Sequence, residues 1–300
     1  MFNVQVLMYS GFTILGSYSE IINKGGQSIV RGANSLRPIT HYMILERNRL
    51  IFSKQTKAAN SSLTTIYFKE QISATEFESH EITIPTMLNG KNIAAYVAAV
   101  DSKFVVWSDD ENINADQFPT FFEALLAIVK PFEFDATNPI APLLSLDVLY
   151  VGQTEITETY FRIDGHEKYA KAADDVIRTR PQKELFVKLL SYEDPTWVVR
   201  ENEDNSQEKL KEIRELAKKH DHPKWVTLFE ASLIHKMQPY LNKHYRKNFP
   251  SLEHLKYRGL LNIGINSAKV VVDEKERPYF TKLANGVYTR TLEFEFSLYL

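Results

Sequence analysis

The sequence predicts an α+β fold with a β-rich N-terminal domain, a mixed α/β domain and a β-rich C-terminal tail. Three observations lead there. Residues 1–110 repeat short runs of β-branched and aromatic residues. From about Leu146, strand-like runs alternate with helical patterns. Finally, Thr291–Leu300 alternates strictly, with Leu292, Phe294, Phe296, Leu298 and Leu300 on one face. The predicted divisions are 1–135, 146–250 and 251–300, the last packing on the domain before it.

In chain order, Phe2–Met8, His41–Leu45, Leu63–Phe68, Ile82–Ile84 and Phe104–Trp107 read as strands. Gly25, Gly26 and Gly32 mark loops. Asn89-Gly90 predicts a hairpin between Ile82–Ile84 and Ile93–Val100, because both residues tolerate positive φ. Asp101–Lys103 reads as a second tight connection. Asp116–Lys130 reads as a helix capped by Asp116, with Pro119 in its first turn and Phe122, Leu125, Leu126 and Val129 on one face. Phe134–Pro142 is a connector. Val148–Val151 is a strand ending at Gly152. Gly165–Arg180 is an amphipathic helix with Tyr169, Ala172, Val176 and Ile177 inward, and Glu184–Leu190 is a strand. Asp204–Lys219 is a charged helix with Leu210, Ile213 and Leu216 on one face. A further helix runs from Pro223 to about Met237 and stops at Pro239.

Bulk composition narrows the function. The 300 residues hold 36 Lys and Arg against 38 Asp and Glu. A near-neutral chain has no global attraction for nucleic acid, so any basic surface is local. With no cysteine, disulfides and thiolate zinc sites are excluded, and a reducing cytoplasm is the natural location. The N-terminus lacks the basic and long apolar regions of a signal peptide. No apolar run approaches the roughly 18–20 residues of a membrane helix, so a membrane is not an expected partner. Asn60-Ser61-Ser62 matches a glycosylation acceptor, which carries no meaning without a secretion signal.

Two stretches carry the chemistry. The first is Leu149–Thr154, followed by Arg162 and His166; the second is Glu230–His235, followed by Gln238, Pro239 and Asn242. At Gly152 the backbone can approach a phosphate closely. Arg162 offers bidentate contact to phosphate oxygens, and His166 a proton donor near neutral pH. Glu230 sits on an apolar helix, where a carboxylate is expensive unless paired or bound to metal. Its oxygens suit Mg²⁺ or Mn²⁺. Taken singly, each residue has a plain structural role: a core tyrosine, a surface arginine, a polar helix start, a solvated glutamate, a turn asparagine. The functional reading comes from the combination and its order.

That order resembles the GIY-YIG nuclease family. Tyr150-Val151-Gly152 matches the second half of the name motif, and Arg162 with His166 looks like its Arg-x-x-x-His step. Glu230-x-x-Leu233-Ile234, then Gln238-Pro239-x-x-Asn242, resembles its glutamate helix and following asparagine. The resemblance covers about residues 145–245. It implies a small mixed sheet flanked by helices, a single divalent ion on Glu230, a tyrosine near the attacking water and Arg162 on the scissile phosphate. The activity implied is metal-dependent endonucleolytic hydrolysis of phosphodiester bonds in DNA, in a setting of defence, restriction or mobile elements. Two features depart from the family pattern. The stretch Asp135–Leu146 lacks the family's first tyrosine, leaving Tyr160 or Tyr169 as substitutes, and the Arg162–Glu230 spacing is long, with an insertion around 201–221. The alternative reading is therefore a catalytically inactive scaffold that binds nucleic acid, or a protein partner through the N-terminal β-rich domain. A nuclease directed at RNA is a third reading.

A basic segment follows the glutamate helix. Lys236, Lys243, Arg246, Lys247, Lys256 and Arg258 face a single acid, Glu253, with Tyr240, Tyr245, Phe249 and Tyr257 interleaved. Such clusters bind phosphate backbones and stack unpaired bases. The plainer reading is a solvated face over core aromatics.

Overall fold

A computed structural model describes residues 3–57, 62–88, 91–92, 96–100, 103–107, 116–132, 134–154, 167–193, 195–200, 211, 215, 222–251, 253–261 and 267–298. The fold is α+β. The elements run β1 (Asn3–Ser17), α1 (Tyr18–Ile22), α2 (Lys24–Leu36), β2 (Ile39–Asn48), β3 (Leu50–Lys57), β4 (Leu63–Gln71), β5 (Phe77–Pro85), β6 (Met87–Leu88), β7 (Lys91–Asn92), β8 (Tyr96–Val100), β9 (Lys103–Trp107) and β10 (Asp116–Phe118). After α3 (Phe121–Val129) come a 3₁₀ turn (Pro142–Leu144), β11 (Ser145–Gln153), α4 (Glu167–Thr179), β12 (Lys183–Tyr192), β13 (Thr196–Arg200), α5 (His222–Met237) and α6 (Leu255–Leu261). The chain closes with β14 (Ser267–Asp273), β15 (Phe280–Lys282), β16 (Tyr288–Thr289) and β17 (Thr291–Ser297).

Nine strands form the main sheet, in the order β16-β15-β11-β2-β12-β1-β14-β17, with β13 also paired to β1. Among the described residues, β1–β14 and β11–β15 are the parallel pairs. Strand pairing crosses the divisions expected from sequence. β2, from the first 135 residues, lies between β11 and β12, and β1 joins β12 to β14. The reason is burial: β2 is almost wholly buried, and such a strand needs partners on both edges and cover on both faces. Smaller sheets, β3-β4-β5, β8-β9-β10 and β6-β7, complete the N-terminal half.

α3 joins the two halves. Eight of its nine residues are buried. Phe121 meets Phe52, Phe68 and Phe104 at 5.5–5.6 Å, and Phe122 meets Phe186 of β12 at 5.1 Å. A polar network is buried beside β12, where Lys188 pairs with Glu274 and the Tyr279 hydroxyl donates to Glu274 Oε1 at 2.7 Å. Those partners satisfy charges that would otherwise be costly to bury.

Several local expectations are corrected. The helix expected from Asp116 begins at Phe121, capped by Thr120 with Glu123 reaching back, a reciprocal capping box; Asp116 lies in β10. Pro119 favours extended backbone at Phe118, which keeps that residue in the strand. Gly25, Gly26 and Gly32 lie within α2 rather than in loops. A Cβ on Gly26 would stand 1.7 Å from the Glu20 carbonyl oxygen, so glycine is required where α2 meets the end of α1. Ile177, expected inward, is 77 % exposed, while Ala172 and Val176 are buried as expected. β3 carried no sequence expectation, and α6 is a helix within the tail expected to be β-rich from residue 251. Asn89-Gly90 and Asp101-Ser102 lie outside the described residues, but their flanks pair as hairpins: Leu88 with Lys91, and Val100 with Lys103. Most of Asp204–Lys219 also lies outside them.

Candidate functional site

β11 is the spine of the site. Its register against β2 slips between Val148 and Tyr150, a bulge that re-aims Tyr150. Its other edge pairs with β15 only as far as Asp147. Beyond that, the segment after α5 takes over the edge. The Leu241 N–H donates to the Leu149 carbonyl at 3.0 Å. The Asn242 side chain then acts as a mock strand: Oδ1 accepts from the Val151 N–H at 2.9 Å, and Nδ2 donates to the Val151 carbonyl at 2.8 Å.

This clamp brings the end of α5 against β11 and creates a cleft of about 640 Å³. Its walls include Tyr150, Glu230, Asn242, Lys243 and Lys256, five residues singled out from sequence and drawn from β11, α5, the loop after α5 and α6. Lys168, His244, Tyr245 and His254 join them. Glu230 is half-buried. Its Oε2 accepts from Gln153 Nε2 at 2.8 Å, and the same amide nitrogen donates to Thr227 Oγ1 at 3.0 Å. The Thr227 hydroxyl is itself held by the Pro223 carbonyl at 3.0 Å. Gln153 therefore orients the carboxylate from β11, a contact that sequence spacing could not show.

A second tyrosine stands near Glu230. Burial, and then the negative charge of Glu230, raise the hydroxyl pKa of Tyr245 above its ordinary value. Tyr245 has φ of 65° and Gln238 of 54°, both in the left-handed region that non-glycine residues seldom occupy. The loop between them is tied down: Gln238 Nε2 donates to the Arg246 carbonyl at 2.6 Å, and His235 Nδ1 lies 3.2 Å from the same oxygen. Tyr169, one expected substitute, stacks on Tyr18 at 4.0 Å instead, and burial pushes its hydroxyl up to about 12. Tyr160 lies outside the described residues, as do Arg162 and His166.

Two site expectations are corrected. β11 does not end at Gly152 but continues to Gln153, and Gly152 is buried. A Cβ there would stand 2.6–2.8 Å from the rings of Tyr150 and Tyr42, so the glycine makes room for two aromatics rather than for a phosphate. Asn242 is committed to backbone on both ends of its amide, which makes it a positioning residue rather than a catalytic one. Of the basic segment, Lys243 and Lys256 reach the cleft. Lys236, Lys247 and Arg258 are exposed, with Lys236 over the Phe294 ring at 5.6 Å, and Arg246 is half-buried.

Glu230, half-buried and with one carboxylate oxygen oriented by the Gln153 amide, is a residue of the cleft that could hold a hard divalent ion through oxygen. Away from the cleft, Glu70, Glu78 and His80 on β4 and β5 hold potential ligand atoms within 4.8 Å of one another. Asn48 already donates to Glu70 at 2.8 Å, and His80 Nε2 lies 3.5 Å from Glu70. Among the described residues, no helix is long and apolar enough to cross a membrane. No protein-family model matches the chain, and neither a curated protein nor a solved structure does.

Proposed function

We propose that the protein is a metal-dependent endonuclease of the GIY-YIG type, hydrolysing phosphodiester bonds in DNA with one Mg²⁺ or Mn²⁺. The observation that carries this reading is the meeting of Tyr150 and Glu230, 80 residues apart, in one cleft with Lys168, Lys243 and Lys256 on its walls. Glu230 would hold the ion, with Gln153 setting the carboxylate's orientation. The ion's chemistry there is to polarise the phosphoryl oxygen and stabilise the leaving oxyanion. The lysines neutralise flanking phosphates and position the strand. Tyr150 and Tyr245 would orient an attacking water, the resemblance assigns Arg162 to the scissile phosphate, and His166 would donate to a phosphate or shuttle a proton. A cytoplasmic location accords with a chain free of cysteine.

One observation favours a second reading, a nucleic-acid- or partner-binding module without catalysis. Asn242 and Gly152, two residues of the resemblance, both serve packing of the scaffold. A nicking assay on supercoiled plasmid decides between them. The nuclease reading predicts relaxation with Mg²⁺ or Mn²⁺, abolished by EDTA and lost in Glu230→Ala. Binding without nicking by the wild type supports the module, and equal nicking by both proteins removes Glu230 from the mechanism.

A further inference from the structure

The cleft has an annex. A second hollow, of about 360 Å³, adjoins it across Lys168, Leu241 and Lys243, which line both. Lys171 of α4 and Tyr240, just beyond α5, line the annex. Tyr240 is 48 % exposed, yet its hydroxyl is held from two sides. Arg180 Nη2 donates to it at 2.9 Å, and it donates to Asp175 Oδ2 at 3.4 Å. Arg180 is itself anchored, with Nη1 2.6 Å from both carboxylate oxygens of the buried Glu46 on β2. An exposed ring pinned by charges rooted in the central sheet gains little core packing from being held still. Beside lysines, a pre-oriented aromatic surface is the arrangement that stacks an unpaired base while cations hold the adjoining phosphates. Of the annex carboxylates, Asp174 pairs with Arg178 at 2.7 Å and Asp175 shares Arg180 with Glu46, while Lys168 itself pairs with Glu167 at 3.3 Å.

We propose that the annex is a subsite for one unpaired nucleotide next to the bond that is cut. Its base stacks on Tyr240, its phosphate passes Lys168 and Lys243, and Lys171 meets the next phosphate. The proposal rests on the nuclease reading of the neighbouring cleft and narrows its substrate to nucleic acid with a single-stranded segment.

Fluorescence anisotropy in EDTA, where no cleavage occurs, tests it with a labelled oligothymidylate and a blunt duplex of equal length. Tyr240→Ala should weaken single-strand binding by roughly 5- to 100-fold, the worth of about one stacked base, and leave duplex binding unchanged. Tyr240→Trp should keep wild-type affinity. Because Tyr240→Ala also removes a partner of Arg180, a second measurement uses the wild type alone: a strand of the same length made wholly of abasic nucleotides should bind more weakly than oligothymidylate. Equal single-strand affinity of wild type and Tyr240→Ala, or equal binding of the abasic strand, overturns the subsite while leaving the nuclease reading standing. A wild type that binds neither probe overturns both.

Discussion

Asn242 spends its whole side chain on Val151. Both ends of the amide are bonded to buried backbone, so removing it takes away the partner of both the Val151 N–H and the Val151 carbonyl. Asn242→Ala should cost about 2–4 kcal/mol of unfolding free energy, read as a lower urea midpoint, and an unchanged midpoint contradicts the clamp. The residue scale also shows which parts of the site were legible. Glu230 and Tyr150 were, because a carboxylate on an apolar helix and a tyrosine at the end of an apolar strand are unusual enough to mark. The partner of Asn242 was not, because nothing local encodes a contact 91 residues away. Gly152 read as a turn because a glycine after a strand run usually ends it; its actual reason is the pair of tyrosine rings beside it. Tyr245 was read only as part of a basic, aromatic segment. Its approach to Glu230 depends on a loop held at positive φ, which residue type does not announce.

Among the elements, two helix starts are wired together. Glu20 closes the capping box of α1 and Glu123 that of α3. Both carboxyls also converge on the Ser17 N–H, at 3.2 and 2.9 Å. Burial, then the neighbouring Glu20, push the Glu123 carboxyl from 4.5 up to about 9. The folded-state value lies above the unfolded one, so the folded chain holds this proton more tightly. Its stabilising contribution is full below about pH 4.5 and is lost as pH rises through about 9. Glu184, pushed up to about 7 by burial, acts in the same direction over a lower range. Melting temperature should therefore fall between pH 7.5 and 9 in the wild type, and Glu123→Gln should flatten that fall. Parallel profiles would contradict the assignment. The Thr120 and Glu123 capping box was present in the sequence, three residues apart, but Asp116 offered a competing start that only the pairing of β10 with β9 excludes. α2 was missed because its three glycines are poor helix formers; the Asn23 cap and the packing of Val30 hold it regardless.

Across the whole molecule, the sheet is assembled from both ends of the chain inward. β2 and β1 occupy its middle, while the cleft is built on β11, next to β2. Composition revealed that the first hundred residues were β-rich, and hence the α+β class. It did not reveal that two of those strands pair within the sheet bearing the site, because strand order depends on long-range pairing that hydrophobic periodicity leaves open. A fragment of residues 136–300 would lack the strands between β11, β12 and β14, and should show no cooperative thermal transition by circular dichroism. A sharp, reversible transition would mean that the second half folds alone. The claim on which the function rests is local to the cleft: Glu230 binds the ion. Anomalous scattering from a Mn²⁺-soaked crystal tests it directly. The account predicts one peak at about 2.0–2.2 Å from a Glu230 carboxylate oxygen, inside the cleft that Tyr150 lines; a peak beside Glu70, Glu78 and His80 with none at Glu230 would contradict it.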